Sequence, residues 1–169
     1  MKNFIFIFLF VSCAAALVPE TDNPDVKIQQ AMQLIQNNRY PMAEKIIGEA
    51  LSLYEVAGNK EGMAQAYLAY NDVYKSGTIK NSLKAADSLV KAADIHYEIE
   101  FYLSAALEFW SASYKYADAQ QVDSGCRALA NSEKALKLKA KAKDSKFFAN
   151  SEGLLIRIQE QNKALACKK

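Results

Sequence analysis

Three stretches of this chain repeat one spacing of small and large residues. Ala43-x3-Ile47-x2-Ala50-Leu51 recurs as Ala85-x3-Leu89-x2-Ala92-Ala93 and again as Ala128-x3-Ser132-x2-Ala135-Leu136, at offsets of 42 and 43 residues. A second set, Tyr67, Tyr70, Asn71 and Tyr74, maps onto Leu107, Trp110, Ser111 and Tyr114 at an offset of 40. Spacings of three, four and seven put the members of each set on one helix face. A period near 40 with two helices per unit is the pattern of stacked helix pairs, in which no pair buries its stripe alone.

The remaining periodicity agrees. Ile28, Ala31, Met32 and Ile35 form a first helical stripe, ended at Asn37-Asn38. Met42, Ile46, Ile47, Ala50, Leu51 and Tyr54 form a second, closed by Gly58-Asn59. Met63, Ala66, Tyr67, Tyr70 and Tyr74 form a third, closed by Gly77. The fourth runs from Ile79 to Ala93 with Thr78 as its N-cap, and the fifth holds Leu103, Ala106, Leu107, Trp110 and Tyr114. The sixth starts at Asp123-Ser124-Gly125 and runs to about Ala142; the seventh starts at Asp144-Ser145 and runs through Phe147, Phe148, Leu154, Leu155, Ile158 and Leu165. No alternating strand pattern of useful length occurs, and with only Gly 6 and Pro 3 a turn-rich sandwich or barrel is excluded. The fold expected is all-α, with about seven helices.

These residues resemble the tetratricopeptide repeat family. Its units carry two large residues, a small one and an aromatic on the first helix, then Ala, a large apolar residue and Ala on the second. The run Gly58-Asn59-Lys60-Glu61-Gly62 is similar to the opening of its longer repeats. The likeness covers residues 25–142 as three helix pairs, with 144–166 as a C-terminal capping helix, and implies antiparallel pairs stacked as a right-handed solenoid. Three departures stand out: the repeats exceed 34 residues, Ser132 replaces a large apolar residue, and no unit ends in Pro. A less regular helical bundle is the alternative fold.

The resemblance implies a protein or peptide partner held on a concave face. In this chain that face comprises Gln65, Leu68, Asp72 and Lys75, then Ala105, Glu108, Ala112 and Lys115, with Gln29, Gln33 and Gln36 before them. Side chains of mixed sign there suit an extended peptide and lack the dense cations of a carboxylate clamp. The aromatics crowded between Tyr67 and Tyr116 supply the contact area common at hot spots, but Tyr70, Tyr74, Trp110 and Tyr114 read first as repeat core.

Catalytic patterns are nearly absent. The single histidine, His96, reads as a surface residue at a helix end, and one histidine makes no His-based metal site. No phosphate-binding glycine loop is present and no carboxylate pair sits on an apolar face. No cofactor is expected. Net charge is only +2, so nucleic acid is not an expected partner. The charge is uneven, with net +5 over residues 101–169, mostly from Lys134, Lys137, Lys139, Lys141, Lys143 and Lys146, which read as a solvated helix face.

Residues 1–16 read as a secretory signal: Lys2, eight apolar residues from Phe4 to Val11, then small residues. Cleavage near Ala16 gives a released chain with an extended leader over 17–24. Lipidation at Cys13, where Val11-Ser12-Cys13 resembles a bacterial lipobox, gives a lipid-anchored one. No later stretch has the length of a transmembrane helix. Export predicts a periplasmic, envelope-associated or secreted protein. It leaves Cys126 and Cys167 either as one disulfide or as two free thiols. Their hairpin arms, roughly 28 and 34 Å long at 1.5 Å per residue, allow the pair to meet. The expected function is a protein-binding module or scaffold without catalysis. The alternatives are a specific inhibitor or immunity-type protein acting on a secreted enzyme or toxin, and an enzyme or carrier of an anionic polymer such as cell-wall material.

Overall fold

A computed structural model describes residues 19–144 and 151–167. Seven α-helices fill the described chain, with no strand among the described residues. They are α1 (Pro24–Gln36), α2 (Tyr40–Ala57), α3 (Lys60–Tyr74), α4 (Ser82–Glu98), α5 (Tyr102–Asp118), α6 (Val122–Lys137) and α7 (Ser151–Ala164), with 3-10 turns at Gly77–Ile79 and Lys139–Lys141.

The helix ends are written locally. Asn23, Asn59 and Asn81 each turn a side-chain oxygen onto a backbone N–H of the helix that follows, at Asp25, Gly62 and Lys84, all at 2.9 Å. Four of the helix ends share one turn. Asn38, Gly58, Glu100 and Gln120 take left-handed backbone (φ 58°, 64°, 68° and 60°). The next N–H then reaches back to Leu34, Tyr54, His96 and Tyr116 carbonyls at 2.8–2.9 Å, which is the Schellman pattern. Only two or three residues separate each such helix from its successor, so α1–α2, α2–α3, α4–α5 and α5–α6 fold back as antiparallel neighbours. The α3–α4 link is longer and uses the turn at Gly77–Ile79. Thr78, expected as the N-cap of the fourth helix, lies inside that turn, and Asn81 does the capping. The sixth helix stops at Lys137, five residues before the expected end, and α7 begins at Ser151; Ser145, Phe147 and Phe148 lie outside the described residues.

Each helix packs on its chain neighbours, and α1 also touches α3 and α5 touches α7 across the intervening helix. Eleven of the twelve positions of the alanine-based repeat on α2, α4 and α6 are buried, and the twelfth, Leu51, is half-buried. Small side chains here let the helices approach closely. Ser132 fits without an apolar side chain because its Oγ donates to the Ala106 carbonyl of α5 at 2.6 Å.

On the other helices the register differs from the sequence expectation. Ala66, Ala69 and Val73 of α3, and Ala106, Phe109 and Ser113 of α5, are the buried set. Tyr74 is buried in the core as expected, Tyr67, Tyr70 and Trp110 are half-buried, and Tyr114 is exposed. The aromatics lie one residue away from the innermost line and form the rims of grooves.

Candidate functional site

The three tyrosines of α3 line an open groove of about 350 Å³ between α2 and α4. Their spacing of three and four residues puts Tyr67, Tyr70 and Tyr74 on one face of the helix. Tyr70 and Tyr74 stack with ring centroids 6.0 Å apart and planes 6° from parallel, and Tyr67 continues the row at 6.4 Å and 41°. Leu51 of α2 forms one wall; Lys84, Asp87, Ser88 and Lys91 of α4 form the other. Lys84 and Lys91 are seven residues apart, hence on one helix face. Their ammonium groups sit 4.9 Å from the Tyr74 centroid and 5.1 Å from the Tyr67 centroid.

The hydroxyls are anchored. Tyr74 donates to Glu44 of α2, and Tyr116 of α5 donates to Asp87 at 2.8 Å. Burial, with Glu44 next in order of effect, raises the Tyr70 phenol above its ordinary value. Burial and the Asp87 carboxylate push Tyr116 up to about 12. Tyr70, Tyr74 and Tyr116, all raised by burial, therefore stay protonated near neutrality and present neutral, amphipathic surface.

The residues expected on the concave face do not form one polar groove, and the two that meet, Leu68 and Ala112, do so in a packed apolar cluster. On α3, Gln65 is exposed, Leu68 packs against Leu89, Ala112 and Ala128, and Asp72 pairs with Lys75 at 2.7 Å. On α5, Ala105, Glu108 and Ala112 are buried and Lys115 is half-buried. The physical reason is the position of α5: it packs on α4 and α6 and also meets α7, so little of its girdle remains free. Gln29, Gln33 and Gln36 of α1 are exposed.

Glu108 and His96 form a buried pair, each under a tenth exposed. His96 Nδ1 lies 2.8 and 2.9 Å from the two Glu108 carboxylate oxygens, and the imidazole stacks on Phe101 at 5.8 Å. The expectation of a surface histidine therefore fails: a partner on the next helix makes burial possible. Burial raises the Glu108 carboxyl, with His96 pulling it down and the Asp144 carboxylate adding to the rise. Asp144, itself buried, accepts the N–H groups of Ser104 at 2.7 Å and Leu103 at 3.3 Å, capping α5 from forty residues away.

Cys126 of α6 and Cys167, just beyond α7, are joined as a disulfide with Cα atoms 5.5 Å apart. Cys13 lies outside the described residues. Among the basic residues, Lys134 sits 5.3 Å over Tyr97, Lys137 pairs with Glu133 at 3.3 Å and Lys143 with Glu100 at 2.9 Å. Among the described residues no cluster of three or more His, Cys, Asp or Glu is placed to hold a metal ion, and no helix is long and apolar enough to cross a membrane.

Fold and groove together define a helical protein of packed adjacent helices with an open aromatic groove. No family model, no curated protein and no solved structure matches the chain.

Proposed function

We propose that this chain is an exported protein-binding module, built as stacked helix pairs of the tetratricopeptide-like kind, that takes an extended segment of a partner protein into the tyrosine groove. The observation that carries the reading is the row Tyr67, Tyr70 and Tyr74, left open between α2 and α4 and flanked by Lys84 and Lys91. Two half-buried rings, Tyr67 and Tyr70, backed by the buried Tyr74, offer contact area that is already ordered, so binding freezes few rotamers. Lysine and carboxylate groups at the rim give directional polar contacts around that centre, the arrangement found at interface hot spots. The contacts of α1 with α3 and of α5 with α7 support the solenoid reading, because first helices of successive pairs meet in such a stack. The signal-like residues 1–16 support export.

The test is capture of the partner by native chain and by groove variants. Tyr67→Ala and Lys91→Ala, both at half-exposed or exposed positions, lose the partner while melting within a few degrees of the native chain. Retention of the same partner by both variants would refute the groove reading.

A further inference from the structure

The cleft between α6 and α7 opens to about 690 Å³. Ala130 and Glu133 of α6 line it on one side, and Gln159, Asn162 and Lys163 of α7 on the other. Cys126 and Cys167 close one part of it, and both are half-exposed in its wall. The two helices therefore splay where α5 and α6 pack closely along their length.

The described contacts of α7 with the rest of the stack are few in kind. Ile158 is fully buried in the cluster with Phe109, Leu129 and Leu136, and Leu154 and Leu165 are partly buried beside it. The Arg157 guanidinium lies 5.7 Å over Trp110 of α5. A covalent tie is added by the disulfide, which closes a loop over a separation of 41 residues.

We infer that α7 is a redox-released cap: the Cys126–Cys167 disulfide latches it over the α5–α6 face, and a dithiol reductant lets it go while α1–α6 stay folded. The chemistry is thiol–disulfide exchange. A thiolate of the reductant attacks one sulfur in the open cleft wall, the other cysteine leaves as a thiolate, and the reductant's second thiol resolves the mixed disulfide. Two electrons pass from the dithiol to the cystine, giving two cysteine thiols and an oxidised, cyclic reductant. Release uncovers Trp110, Phe109, Leu129 and Leu136, a face that α7 itself shows can seat an amphipathic helix. This inference does not depend on the tyrosine groove.

Trp110 is the only tryptophan of the chain, so its emission reports on the cap alone. Full mature chain is treated with dithiothreitol and followed by tryptophan fluorescence and hydrogen exchange. The expected result is a red shift of Trp110 emission and exchange at α7 amides faster by about a hundredfold or more. Amides of α2–α5 change by less than about twofold. The Cys126→Ser/Cys167→Ser variant shows the released state without reductant and no response to it. Unchanged α7 exchange after reduction would overturn the inference, because the latch would then be idle. Joint loss of protection across α1–α7 would overturn it too, because the disulfide would then be a staple of the whole fold.

Discussion

Replacing Glu108 by Ala strands a histidine. In the native chain both carboxylate oxygens lie within 2.9 Å of His96 Nδ1, and the two side chains are only 9% and 10% exposed. Removing one member of a buried pair costs about 3–5 kcal/mol, because the survivor keeps its desolvation penalty. At about 2–4 °C per kcal/mol for a chain of this size, Tm falls by roughly 6–20 °C. His96→Ala costs a similar amount by the same argument. The double variant is the informative one: with both partners gone no polar group is stranded, so its loss is smaller than the sum of the singles by about 1.5–3 kcal/mol. Urea unfolding at neutral pH on all four proteins measures this coupling, provided the m-value is constant. Singles that add to within about 0.5 kcal/mol would refute the pairing.

Three further predictions test other parts of the structure. Gly77→Ala places a methyl 1.9 Å from the Tyr40 ring at a φ of 71°, and loses about 2–4 kcal/mol in chemical denaturation; a loss below about 0.5 kcal/mol would contradict the turn geometry. Ala92→Leu overfills a site with no exposure and costs about 1–3 kcal/mol; an unchanged midpoint would mean the repeat register is wrong. Tyr116, raised from 10.0 to about 12, and Tyr54, Tyr70 and Tyr74, raised mainly by burial, hold their protons more tightly folded than unfolded. Their contribution is complete below pH 10 and is lost as pH rises from there toward 12. Tm therefore falls steeply in that window, with part of the phenolate absorbance appearing only on unfolding. A Tm flat to pH 12 would contradict this.

The packing faces of α2, α4 and α6 were readable from residue size alone. Alanine at both ends of Ala43-x3-Ile47-x2-Ala50 and its two copies has one physical use, close helix approach, and all nine of these positions are inside. The faces of α3 and α5 were harder. Tyrosine satisfies an apolar stripe and a groove rim equally well, so Tyr67 and Tyr70 look like core until the partner helices are in place, while Tyr74 is both core and groove wall. Their i, i+3, i+7 spacing, matched by Lys84 and Lys91 on the next helix, was the available clue. His96 and Glu108 were not readable, because burial of each depends on a partner 12 residues away that no local pattern announces. The same holds for Asp144, which caps a helix from the far side of α6.

The most direct test of the account is a site-specific photo-crosslink in the native host. A benzophenone side chain at Leu51, on the groove wall, is compared with one at Val56, 89% exposed on the same helix and outside the groove. The account predicts one protein adduct of defined mass from Leu51 and none from Val56. The same adducts from both positions, or none from Leu51, would contradict a partner seated in the tyrosine groove.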